Sequence, residues 1–160
     1  MLYIMTGIPA SGKSTFCKQI FSDNPHVKIV SRDQIRFKIL GDTDEYFAKE
    51  KGVFSKFAAE IACYLDQGYD VVADATHLNY ESRKKLINAV WETRFFIEPI
   101  DVIFINCGAE LNEALRRNSL RTGRAKVPES AIKEMANRYK PAECIESYGH
   151  CNVKGVWDNW

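Results

Sequence analysis

The chain has 160 residues, enough to bury one substantial core and not two, so one domain over 1–160 is expected. No run approaches the roughly 18 apolar residues of a helical membrane span, and no membrane partner is expected. Net charge is +1, from 22 Lys and Arg against 21 Asp and Glu, which excludes a globally basic nucleic-acid binder and leaves any such contact to a local patch.

The first strand is LYIMT, residues 2–6, and GIPASGKST follows it, from Gly7 to Thr15. Gly, four residues, then Gly-Lys-Ser between a strand and a helix is the spacing of a loop that cradles phosphates. Gly7 and Gly12 let the backbone turn its N–H groups inward along Ile8, Pro9, Ala10 and Ser11. Lys13 then puts a cation on the β and γ phosphates, Ser14 offers a hydroxyl to Mg²⁺, and Thr15 lies in the first turn of a helix whose positive end faces the ligand. ATP or another nucleoside triphosphate, with Mg²⁺, is the expected ligand.

VKIVS, residues 27–31, is the second strand, and Ser31 with Gln34 forms an S-x-x-Q capping box that leaves the Asp33 side chain free. If this strand neighbours the first, its end opens beside the phosphates and brings Arg32, Asp33 and Arg36 to the crevice. A carboxylate there takes the proton of an attacking hydroxyl and aligns it with the leaving group, which makes Asp33 the candidate base. Arg36, one turn on, would hold the acceptor or the transferring phosphate.

In FSKFAAEIACYL the apolar positions Phe54, Phe57, Ala58, Ile61, Ala62 and Leu65 form a buried helical stripe, which Gly68 stops. The third strand, DVVADA at 70–75, carries Asp74 to its end, as a Mg²⁺ ligand, an acceptor contact, a partner of Arg36 or an acceptor of backbone hydrogen bonds. His77 reads as a loop hydrogen-bonder. Asn79 caps the next helix, whose first turns carry Arg83, Lys84 and Lys85; Asn79 and Arg83 are counted among the acceptor contacts, and the basic run faces an acceptor strand or solvent.

IDVIFIN, residues 100–106, is the fourth strand. From Arg116 to Lys126 stand five basic residues and no acidic one: Arg116, Arg117, Arg121, Arg124 and Lys126. A flexible basic lid over about 117–128 would bring guanidinium groups onto the transferring phosphoryl group and exclude water, with Arg117 and Arg121 on the donor nucleotide. Pro128 opens a last helix with the stripe Ile132, Met135, Ala136 and Tyr139, Pro141 ends it, and VKGVW at 153–157 is a possible short fifth strand. The fold class is therefore a three-layer α/β domain, a central parallel sheet of four to five strands flanked by helices, with ligands at the carboxyl ends of the strands.

Five scattered cysteines without a C-x-x-C pair, and an opening MLYIM without a basic lead, point to reduced thiols and a cytoplasmic protein without a secretory leader. Cys144, His150 and Cys151 lie close in sequence but lack a fourth ligand for a metal.

Three motifs in order carry a resemblance: GIPASGKST, SRDQIR with Asp33 twenty positions after Lys13, and RNSLRTGRAKVP. Together they resemble the kinase domain of the phage polynucleotide 5′-kinases, members of the P-loop kinase superfamily that move the γ-phosphate of ATP onto the 5′-OH of DNA or RNA. The resemblance runs over roughly residues 1 to 140. It implies Lys13 and Asp33 in catalysis, Asp33 as general base, Arg36 as transition-state stabiliser and Arg121 as the lid arginine on the donor phosphates. It further implies Arg32 on a phosphate of the acceptor strand, Val127 against the acceptor base, a place in nucleic-acid repair beside a ligase, and a host-cytoplasm location for a phage-encoded chain. Ala10 stands where that family often has another glycine, and the lid is one residue longer before Pro128. Larger members add a 3′-phosphatase domain; without its D-x-D-G-T motif here, none is expected. Two other readings share these residues: a small-metabolite kinase acting on a nucleoside, sugar or antibiotic, and a nucleotide-binding module without phosphotransfer.

Overall fold

The computed structural model describes residues 1–41 and 44–159. Five strands, β1 (Leu2–Thr6), β2 (Val27–Ser31), β3 (Asp70–Asp74), β4 (Ile100–Cys107) and β5 (Cys151–Asn159), pair in the order β2-β3-β1-β4-β5, all parallel. Between them run α1 (Lys13–Phe21), α2 (Arg32–Ile39), α3 (Glu50–Asp66), α4 (Tyr80–Thr93), α5 (Leu111–Ser119) and α6 (Glu129–Arg138). Among the described residues no helix is long and apolar enough to cross a membrane.

Strands buried on both faces read as near-continuous apolar runs, and their alternation sorts side chains between two layers. Leu2 and Ile4, Val71 and Ala73, and Val102 and Phe104 face α3 and α4, where Phe57, Ile61, Leu86 and Val90 close the larger core. Met5, Val72, Ile105 and Cys107 face the other way, onto Cys17 and Phe21 of α1. A third cluster joins Ile8 and Ala10 of the loop after β1 to Ala114 of α5, Ile132 of α6 and Val127, so α5 and α6 sit over the phosphate loop.

Two expectations change. β1 and β2 are not neighbours: β3 lies between them, with Leu2 opposite Val71 and Val27 opposite Asp70. Asp74, at the end of β3, is therefore the carboxylate beside the phosphate loop, and Asp33 stands one strand further out. The fifth strand is longer than the run at 153–157, because Asn152 and Asp158 also pair along β4 despite their polarity; the register shift between Val102 and Ile103 leaves Lys154 as the extra, unpaired residue.

The turn after β1 tolerates only glycine. Gly7 has φ +139° and donates its N–H to Thr76 O at 2.9 Å, and a Cβ there would meet Cys107 O at 2.3 Å.

Candidate active site

Lys13 begins α1 and is buried, its Nζ donating to Gly7 O at 3.0 Å and Ile8 O at 2.6 Å. Burial lowers the Lys13 ammonium from its ordinary 10.5 to about 8, against the pull of Asp74. Ser14, one residue on, donates its hydroxyl to Asp74 Oδ2 at 2.7 Å. Burial raises the Asp74 carboxyl, while the Ser14 hydrogen bond and Lys13 oppose it. Two hard oxygens this close beside a phosphate loop fit Mg²⁺, and among the described residues no cluster of three carboxylate, imidazole or thiol groups offers a richer cage. That donor set suits an ion that keeps water and phosphate oxygens for its other positions.

The opposite wall starts at the cap of α2, where Ser31 Oγ accepts from Gln34 N at 3.5 Å. Asp33 follows in the first turn, 54% exposed, yet its side chain is not free. Its Oδ1 accepts from the Arg36 guanidinium and from the Tyr46 hydroxyl, the latter at 3.0 Å, while Oδ2 has no partner among the described residues. Arg36 is buried and also donates from Nε to Glu50 Oε1 at 2.8 Å, with the Tyr46 ring 4.6 Å from its guanidinium carbon. Arg32 donates to the other Glu50 oxygen at 2.7 Å and lies over the Phe54 ring. His77, between these walls, has φ +36° and is buried against Phe57. Its Nδ1 lies 2.7 Å from Met5 O, which can only accept, so Nδ1 carries the proton; burial lowers the ring to about 3 and keeps it neutral.

The segment after α5 is stapled at its base. Asn118, fully buried, donates to Val127 O at 2.8 Å and accepts from Val127 N at 3.0 Å. Between them, Arg124 reaches across and donates to Phe37 O and Leu40 O at the end of α2. Two grooves meet at the phosphate loop. One, of about 400 Å³, runs from Lys13 and Asp74 past Asp33 and Arg36 to Val127. The other, of about 420 Å³, lies along Gly12, Phe16, Gln19, Arg117 and Asn159. Arg121 lines both.

Residues 2–142 match the family described as AAA domain. The chain belongs to the AAA-domain family. Over 145 residues it is 29% identical to an L-seryl-tRNA(Sec) kinase of Methanococcus maripaludis, covering 87% of this chain and 52% of that protein. A chain in the structure of the Pnkp1/Rnl/Hen1 RNA repair complex superposes with a TM-score of 0.69 and 25% identity, over 86% of this chain and 43% of that one. Kti12 of Chaetomium thermophilum, bound to ADP-AlF3, superposes with a TM-score of 0.71 at 16% identity, over 99% of this chain and 88% of that one. This AAA domain thus spans about half the length of the curated relative it matches, and its parallel sheet with flanking helices is the P-loop kinase fold.

Within the AAA domain, the loop residues Pro9, Ala10 and Gly12 to Thr15 line the inner groove with Arg32, Asp33, Arg36, Asp74, Arg121 and Val127, and Ser11 and Arg117 line the outer one. Gly7 and Ile8 stand behind, giving their carbonyls to Lys13. Arg83 departs from its expectation: it is buried, with its guanidinium on Glu146, Tyr148 Oη at 3.0 Å and Lys140 O at 2.9 Å, and lines neither groove. Asn79 spends its carboxamide oxygen on Ser82 N at 3.0 Å in a two-way capping box and lines neither groove. Two of the five basic residues from Arg116 to Lys126 are also occupied, since Glu113 pairs with both Arg116 and Arg117 at 2.8 and 2.7 Å. Among the groove residues that pattern alone missed are Tyr46 and Glu50, which precede the apolar stripe of α3 and have no motif spacing, and Phe47 and Arg138; only the density of charge around Arg32 and Arg36 could have pointed to the first two.

Proposed function

We propose that this chain is an ATP-dependent kinase that phosphorylates the 5′-hydroxyl end of RNA or DNA. The observation that carries the reading is one carboxylate with an unengaged oxygen, Asp33 Oδ2, sharing a groove with Lys13, the Ser14–Asp74 pair and an arginine that also lines the second groove. The donor triphosphate lies on the loop N–H groups and Lys13, with its nucleoside toward Phe16, Gln19 and Arg117. Asp33 takes the proton of the acceptor hydroxyl as the new O–P bond forms. The bond from the γ-phosphorus to the bridging oxygen breaks, and its electron pair leaves with the nucleoside diphosphate. Arg36 and Arg121 meet the charge that spreads over the transferring group. Ser14 and Asp74 would hold Mg²⁺, which would supply positive charge beside the phosphate oxygens.

A polymeric acceptor is supported by the groove lining, which holds Arg32, Lys85 and Arg138 together with Phe47 and Phe54. Lys85 Nζ lies 4.8 Å from the Phe54 ring centre, an arrangement that suits phosphates beside stacked bases. Similarity to a chain of an RNA repair complex supports an RNA acceptor in repair, whereas the L-seryl-tRNA(Sec) kinase points to a seryl group carried on a tRNA; a ligase partner and a cytoplasmic location belong to the same proposal. A groove of about 400 Å³ is at the same time the size that holds one small molecule, which favours a metabolite kinase as the second reading.

Incubation with Mg²⁺, γ-labelled ATP and a panel of 5′-OH oligonucleotides, nucleosides and sugars separates the two. Label on the oligonucleotides, lost in Asp33→Asn while ATP binding persists, is the expected result. Label confined to a nucleoside or sugar would replace the polynucleotide reading, and equal turnover in Asp33→Asn would remove Asp33 from the chemistry.

A further inference from the structure

We propose that Tyr46 is a positioning residue of this site: its hydroxyl, with Arg36, holds Oδ1 of Asp33 and turns Oδ2 toward the acceptor alcohol. The assignment rests on the kinase reading above.

A first-turn carboxylate that is half exposed has two equivalent oxygens and a soft terminal torsion, so nothing local decides which oxygen faces the groove. Arg36 and Tyr46 both bind the same oxygen, and the second donor makes the choice one-sided. The hydroxyl is oriented in turn, because Arg36 Nη1 lies 3.2 Å from it and can only donate. The phenol therefore accepts from Arg36 and gives its own proton to Asp33. Burial, then the Asp33 charge, raises the phenol above its ordinary range, so it keeps that proton at neutral pH. The remaining charges around the carboxylate are committed: Glu50 bridges Arg36 and Arg32, Lys13 is held by loop carbonyls, and Asp74 by Ser14.

The ring does a separate job. It stacks on the Arg36 guanidinium and packs against the cluster that contains Ile8, Leu78 and Val127. The hydroxyl is thus tied both to the base and to the apolar wall under the lid. A purely structural tyrosine would need only the ring.

Tyr46→Phe keeps the ring and deletes the hydroxyl. It is compared with wild type, Asp33→Asn and the double variant, using γ-labelled ATP and a 5′-OH oligoribonucleotide in single turnover, where losses of roughly 10⁴ remain measurable. The expected result for Tyr46→Phe is a transfer rate lower by roughly ten- to hundredfold. KM for ATP and the unfolding midpoint should stay unchanged, and no further loss should appear when the change is added to Asp33→Asn. A rate within twofold of wild type, or a loss that multiplies with that of Asp33→Asn, overturns the assignment and leaves the kinase intact. Absence of product from wild type with any acceptor overturns the kinase reading, and the assignment falls with it.

Discussion

Lys13 shows how one residue carries both fold and ligand. Its ammonium is buried, held by two loop carbonyls, and lowered to about 8 because water has been removed from it. Between about pH 8 and 10.5 the unfolded chain keeps a proton that the folded loop sheds, so this residue makes the fold gain stability as pH rises through that window. Below the window both states are charged and the cost of burial stands in full. A triphosphate reverses the balance by favouring the ammonium, so ATP should bind with proton uptake at about pH 8.5 and more weakly as pH rises further. Calorimetry in buffers of different ionisation enthalpy reads this directly, and zero uptake would show that Lys13 is not the phosphate's cation. Gly7 is constrained just as locally: its backbone geometry and the carbonyl of Cys107 leave no room for a side chain.

At the scale of elements, α4 is fastened to the strap that follows α6. Arg83, on the second turn of α4, meets Glu146 and Tyr148, while Lys140 N donates to Leu78 O at 2.7 Å. Removing one member of a buried pair leaves the other uncompensated. Arg83→Leu should therefore cost about 3–5 kcal/mol of folding stability with KM for the acceptor unchanged, as measured by urea unfolding and by kinetics on the folded fraction. If Arg83 instead contacted the acceptor, KM would rise and the unfolding midpoint would hold. The segment between α5 and α6 follows the same logic: Asn118 clips its ends together and Arg124 satisfies carbonyls at the end of α2. Arg121 is held between those anchors, by its own N–H on Asn118 O at 3.0 Å.

For the whole molecule, the strand order matters more than net charge. β1 lies between β3 and β4, and the chain winds from it to one side through β2 and β3, then crosses to the other through β4 and β5. A crevice opens where the winding reverses, at the carboxyl ends of β1 and β3, and both grooves lie there. A net charge of +1 is spread so that Arg32, Lys85 and Arg138 line one groove. If these three meet phosphates of a single strand, the logarithm of oligonucleotide affinity should fall against the logarithm of salt with a slope of about −2. Fluorescence anisotropy from low to moderate salt measures it. Lys85→Ala should flatten the slope by about 0.7; a slope near zero would favour a neutral small acceptor.

The sequence by itself determined what depends on neighbours a few residues away. The alternation of VKIVS and IDVIFIN, the stripe of α3, the glycine turn with Lys13 and Ser14, and the cap that sets Asp33 in a first turn are all local, because strand and helix periods and turn sterics act within one or two turns of chain. Only the tertiary structure decided that β3 separates β1 from β2, that Glu146 claims Arg83 across 63 positions, that Arg124 docks on α2, and that Tyr46 shares Asp33 with Arg36. A charged side chain takes its role from whichever partner packing brings within reach. That partner follows from the order of strands and the burial of faces, which no spacing in the chain records.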